Sequence, residues 1–139
     1  MKKNKNLLKT ITLAIYPAWL LLCVAFFWIP VISEYSAGCV NLSFFFILPF
    51  ISFVASFLIG KNNYLGKLKW ISPLAYGVMF MLGDYLIYKL ANSIAFHKIN
   101  YPDLEHMLTA TVIALAGLVI GFAFYIIPKL KNKKSSKNN

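Results

Sequence analysis

The sequence has no arginine and no glutamine, and only four acidic residues and two histidines among 139 positions. So few titratable groups leave little from which to build a hydrolytic centre. No GxSxG, HExxH or glycine-rich phosphate loop is present, and no enzyme is expected. The two cysteines, Cys23 and Cys39, form neither a CxxC pair nor a disulfide framework, and they read as unlinked thiols. No metal and no cofactor is expected.

Charge of either sign is also scarce. Charged residues make up 13% of the chain and hydrophobic ones 60%. A soluble domain is about a quarter charged and about half apolar. With mean hydropathy at +0.68, a chain this short has more apolar surface than one core can hide, so lipid is expected to cover it.

Four apolar runs are present: Ile11–Ile32, Val40–Gly60, Ile71–Ala95 and Met107–Ile127. Each is long enough to cross about 30 Å of hydrocarbon as a helix. With no water available in lipid, each run must satisfy its own backbone. The expected fold is all-α: a polytopic membrane protein with four transmembrane helices in an antiparallel bundle. Residues 1–10 are expected to form a Lys-rich tail, residues 11–127 the transmembrane domain and residues 128–139 a disordered Lys-rich tail. The first run exceeds the 7–15 apolar residues typical of a signal peptide.

The lysines set the orientation. Twelve lie in the N-terminal tail, the Lys61–Lys69 loop and the C-terminal tail, against Lys98 alone in the other two loops. The positive-inside rule then puts both termini in the cytoplasm. The net charge of +10 would suggest nucleic acid in a soluble protein. Here it flanks apolar runs, where it meets anionic lipid head groups instead, so no nucleic-acid partner is expected. The abundance of Asn, Ile, Phe and Lys fits an AT-rich bacterial or plasmid gene.

Small residues mark the helix contacts. Ala110, Ala114, Gly117 and Gly121 form a stripe on the fourth run that ends in a GxxxG, and Ser52, Ser56 and Gly60 form one on the second. Ala14 and Ala18 offer a shorter one on the first. Pro17, Pro30 and Pro49 interrupt the runs, and Pro49 is expected to kink the second helix or free a carbonyl near Phe45.

Asp84 is the one acid inside an apolar run. An ionised carboxylate there costs about 3 kcal/mol on insertion scales and turns toward the bundle interior. At 100° per residue it shares a face with Tyr88, and Asn92 lies one turn further, so Asp84, Tyr88 and Asn92 form the candidate functional face. Lys89 lies about 140° around from Asp84 and is expected to reach outward to head groups. The third loop supplies His97, Asp103, Glu105 and His106 as a candidate external epitope. Asn100 with Asp103 resembles a capping pair for the fourth helix, with Pro102 at its start.

In size, helix number, Lys-rich ends and composition, the chain resembles some small immunity proteins against pore-forming bacteriocins. The resemblance covers architecture along the whole chain and carries no motif, so no residue roles follow from it. It implies a non-enzymatic protein acting by helix–helix contact with another membrane protein or with itself. Alternatives are a small oligomeric transporter or channel using Asp84, and an accessory subunit of a larger membrane complex. Small multidrug transporters also have four helices, but they carry an acid in the first helix, and this first helix has none.

Overall fold

The computed structural model describes residues 2–29 and 33–135, with the side chains of residues 2, 3, 5, 33–37 and 131–135 outside the description. Pro30 and the expected helix end at Ile32 therefore lie outside the described residues. So do the side chain of Glu34 and the last four residues of the C-terminal tail.

The described chain is all-helical, with four helices long and apolar enough to span a membrane: Asn6–Trp28, Gly38–Asn62, Gly66–Phe96 and Leu104–Leu130. Several boundaries differ from those expected. The first helix begins at Lys2, inside the supposed tail, and runs unbroken through Pro17. The second begins at Ser33, so the supposed first loop is helical. The fourth begins at Leu104 and continues to Ser135, where a disordered tail is expected. These extensions are polar, and hydropathy is blind to helix outside the apolar stretch. Lysine and alanine are good helix formers, and a helix already nucleated extends at little cost.

The second and third helices are not uniform. Ser43–Ile47 is a π-helical turn, and the Leu48 N–H bonds the Ser43 carbonyl. Pro49 follows directly. It has no N–H for the Phe45 carbonyl, which lies within the π turn. Ser52 Oγ donates to the Pro49 carbonyl at 2.8 Å. The third helix opens with a 3₁₀ segment, Gly66–Ile71, continues as α-helix over Ser72–Asp84, widens into a second π turn at Tyr85–Lys89 and ends at Phe96.

Between the second and third helices the chain turns within three residues. Asn63 adopts left-handed backbone (φ 51°). Its N–H bonds the Gly60 carbonyl and that of Tyr64 bonds the Ile59 carbonyl, a Schellman cap.

Backbones meet where the glycines are. A Cβ on Gly117 or Gly121 would overlap the Phe53 or Phe57 carbonyl of the second helix. One on Gly60 would lie 2.5 Å from the Leu118 carbonyl of the fourth. Gly77 meets Thr111 and Met107, and Gly83 meets Leu20 and Phe44. Ala110 and Ala114 are buried with these glycines. Ala14 and Ala18 are exposed, so the short stripe on the first helix makes no such contact.

The centre is filled by Tyr16, Phe44, Leu48, Ile59, Ile87 and Leu118, all fully buried. Large apolar side chains such as Leu21, Phe46, Phe50 and Val112 point outward. An apolar outer surface around a packed centre is what a lipid environment accommodates. Two outward grooves, both nearly wholly apolar, flank the first helix. One involves Ile11, Ile15, Phe50 and Val54, and the other Leu13, Leu68, Tyr76 and Met79.

Candidate functional site

Asp84 is the last α-helical residue before the second π turn and is 2% exposed. Its Oδ1 lies 3.4 Å from Nδ1 of His106, the third residue of the fourth helix. Asp84 Oδ2 and His106 Nδ1 are both buried without a hydrogen-bond partner. The two groups therefore face each other without a hydrogen bond, and Asp84 Oδ2 stays under-satisfied. A buried polar atom in that state costs about 1–3 kcal/mol, and more when charged.

His106 Nδ1 also lies 4.0 Å from Asp103 Oδ2, and that oxygen is 3.8 Å from Lys89 Nζ. The four side chains form a chain of contacts, Lys89–Asp103–His106–Asp84, that bridges the third and fourth helices near the loop that joins them. Asp103 serves twice: its Oδ1 accepts the Glu105 N–H at 3.0 Å and so caps the fourth helix, while Oδ2 takes the ion pairs.

The cap is thus Asp103 rather than Asn100, and Pro102 precedes the helix instead of opening it. Asn100 instead donates through Nδ2 to Ser93 Oγ at 3.1 Å and to the Lys89 carbonyl at 3.4 Å, tying the third loop to the third helix.

The π turn decides which expected residues meet. An i→i+5 turn holds one residue more than an α turn, which slips the rest of the helix by about 100° of phase. Lys89 is carried from the outward position expected of it to Asp103. Tyr88 donates to Asn41 Oδ1 on the second helix and stands among Phe27, Phe44 and Phe45. Asn92 is exposed. Asp84, Tyr88 and Asn92 therefore do not make one polar face.

Trp28, at the end of the first helix, donates Nε1–H to the Leu86 carbonyl at 3.1 Å inside the π turn. A π turn misaligns its carbonyls with the helix ladder, and Trp28 and Asn100 supply donors to two of them.

The third-loop group divides as well. His106 and Asp103 join Asp84. Glu105 is exposed, and His97 is exposed in left-handed backbone (φ 51°) at the end of the third helix. Lys89, Trp28, Asn41 and Asn100 belong to the site without a signal that periodicity could supply, because each contact depends on the π slip or on a distant helix.

Chemically, the arrangement sets an acid against an imidazole and links the third and fourth helices. Among the described residues no group of three His, Cys, Asp or Glu side chains is placed to hold a metal ion. Both thiols are free, Cys23 buried and Cys39 exposed. Comparison with protein-family models, with curated proteins and with solved structures found no match.

Proposed function

We propose that this chain is a multi-pass protein of a bacterial cytoplasmic membrane that acts without catalysis, through helix contacts with another membrane protein. In this reading its four spans are antiparallel and both ends are cytoplasmic. The lysine asymmetry supports the orientation. The order of contacts supports the alternation. Phe53 and Phe57 meet Gly117 and Gly121 in the same sequence order, whereas Gly77 meets Thr111 and Asp84 meets His106 in opposite order.

The observation that carries the reading is the packed centre beside an outward, grooved first helix. Tyr16, Phe44 and Leu118 occupy the middle of the bundle, while Ile11 and Ile15 rim an apolar groove with Phe50 and Val54. Photocrosslinkers placed at Ile15 and Phe50 in host membranes test it. One discrete protein adduct supports the reading, and adducts with lipid alone remove it.

The version we favour is immunity to a pore-forming bacteriocin or toxin, with the toxin or its receptor as the captured partner. Expression in a sensitive strain, challenged with a panel of pore-formers, tests this version. Protection against one agent supports it, and unchanged killing throughout sinks it.

A second reading, an oligomeric transporter or channel, draws on the unpartnered Asp84 oxygen. Reconstituted vesicles decide it: a flux that survives Asp84→Asn removes Asp84 as its coupling group.

A further inference from the structure

The far end of the molecule from Asp84 carries lysines that pair with no acid among the described residues. Lys69 is 6% exposed, which is rare for a lysine without an acidic partner. Its ammonium donates to Asn63 Oδ1 at 3.0 Å and lies 3.5 Å from the centroid of the Phe122 ring. Lys129, near the end of the fourth helix, donates to Tyr125 Oη at 2.5 Å and lies 4.1 Å from the Tyr125 ring. Lys69 is 5.8 Å from that same ring, and Asn63 Nδ2 donates to Tyr125 Oη at 3.5 Å. Two cations thus share one tyrosine, and Asn63 touches that tyrosine and Lys69.

Among the described residues every ion pair involves Lys89 or His106, and none involves Lys69 or Lys129. Aromatic faces and amide oxygens ease the desolvation of an ammonium but leave its charge in place. Two like charges gathered at one ring repel, and an anion bound beside them relieves that repulsion. The frame is already set: the Schellman turn fixes Asn63, and Trp70, half-exposed, packs edge-on against Phe122 at 5.7 Å. An exposed tryptophan beside lysines at the end of apolar helices stands where head groups lie.

We infer that Lys69 and Lys129, with Asn63, Tyr125 and Trp70, form a binding site for an anionic phosphate group. A phospholipid head group is the bilayer source of that chemistry and inorganic phosphate the soluble one. Basic pockets between membrane helices bind anionic head groups in this manner. The lipid form rests on the chain lying in a bilayer, as the proposed function also does. The toxin and crosslinking tests of that function touch neither lysine, so the two can fail separately.

The experiment titrates the purified full chain in neutral detergent with short-chain phosphatidylglycerol, short-chain phosphatidylcholine and inorganic phosphate, following thermal unfolding and stoichiometry by native mass spectrometry. Saturable binding of one phosphatidylglycerol is expected, with none for phosphatidylcholine. A lysine near an anionic surface is worth about fivefold in affinity, so K69Q/K129Q should bind about thirtyfold more weakly. K129Q alone, at an exposed position, should lose about fivefold and keeps the test decisive if the buried Lys69 variant misfolds, as circular dichroism would report. K61Q/K67Q removes the same charge from exposed lysines and should bind as the parent chain does. Saturation by inorganic phosphate with the same lysine dependence supports the site and names the soluble source. Unsaturable binding, or equal losses in the two double variants, reduces the effect to diffuse charge and overturns the proposal.

Discussion

Replacing Gly60 by alanine tests whether the second and fourth helices are held by backbone contact. The added Cβ would stand 2.5 Å from the Leu118 carbonyl, 2.8 Å from the Phe122 nitrogen and 3.1 Å from the Gly121 carbonyl carbon. Ordinary contact begins near 3.4 Å, so the helices must part by about 0.9 Å at this point. Every atom in the way is backbone and cannot rotate aside. Overpacking of this kind costs about 1–3 kcal/mol, while alanine returns up to about 1 kcal/mol of helix propensity. The net expectation is a loss of up to about 2 kcal/mol, measured by unfolding the full chain in mixed micelles. Gly38→Ala is the internal control. Nothing lies within 4 Å of its Cβ position, so only the propensity gain of up to about 1 kcal/mol remains. Opposite signs for the two variants are therefore expected. Equal shifts in the same direction would refute the argument that close approach at Gly60 holds the bundle. The Gly60→Ala/Gly121→Ala double variant should cost less than the sum, because one separation relieves both clashes.

Four further outcomes follow from the site and its frame. His106→Ala removes the imidazole that faces Asp84 Oδ1 and should destabilise the chain by about 1–3 kcal/mol, and adding Asp84→Asn should restore most of that loss in the same unfolding assay. Trp28→Phe removes the donor to the Leu86 carbonyl and should cost about 0.5–1.5 kcal/mol, with faster amide exchange at the π turn. Cys39, exposed, should react with an impermeant maleimide added to intact cells, while buried Cys23 stays unlabelled until the chain unfolds; labelling only after lysis would reverse the proposed orientation. Lys89→Gln should weaken the tie to Asp103 by no more than about 1 kcal/mol, since both partners are partly exposed.

The four apolar helices were legible because run length and hydropathy answer directly to hydrocarbon thickness. The polar extensions at Lys2, Ser33 and Ser135 were not, since nothing apolar marks them. Asp84 stood out because one acid in an apolar run is expensive wherever it faces. Its partner could not be read from the third helix, because His106 arrives from another helix. The grouping of Asp84 with Tyr88 and Asn92 assumed an unbroken 3.6-residue period. The π turn at Tyr85–Lys89 breaks that period without a proline to announce it, whereas the turn at Ser43–Ile47 has Pro49 beside it. Lys69 read as one of several loop lysines; its burial against Phe122 depends on a contact between two helices that neither run shows alone.

The grooves on either side of the first helix bear on how the chain is assembled. Glycine contacts join the second, third and fourth helices backbone to backbone, while the first meets the rest through side chains such as Leu20, Tyr16 and Trp28. In a bilayer, spans form separately and associate afterwards. The first span is thus the one least committed to its neighbours. Covalent continuity between Trp28 and Ser33 is then a convenience of synthesis more than a requirement of the fold. The first span, supplied as a separate peptide, is expected to reassociate with a three-helix remainder more readily than any other span would.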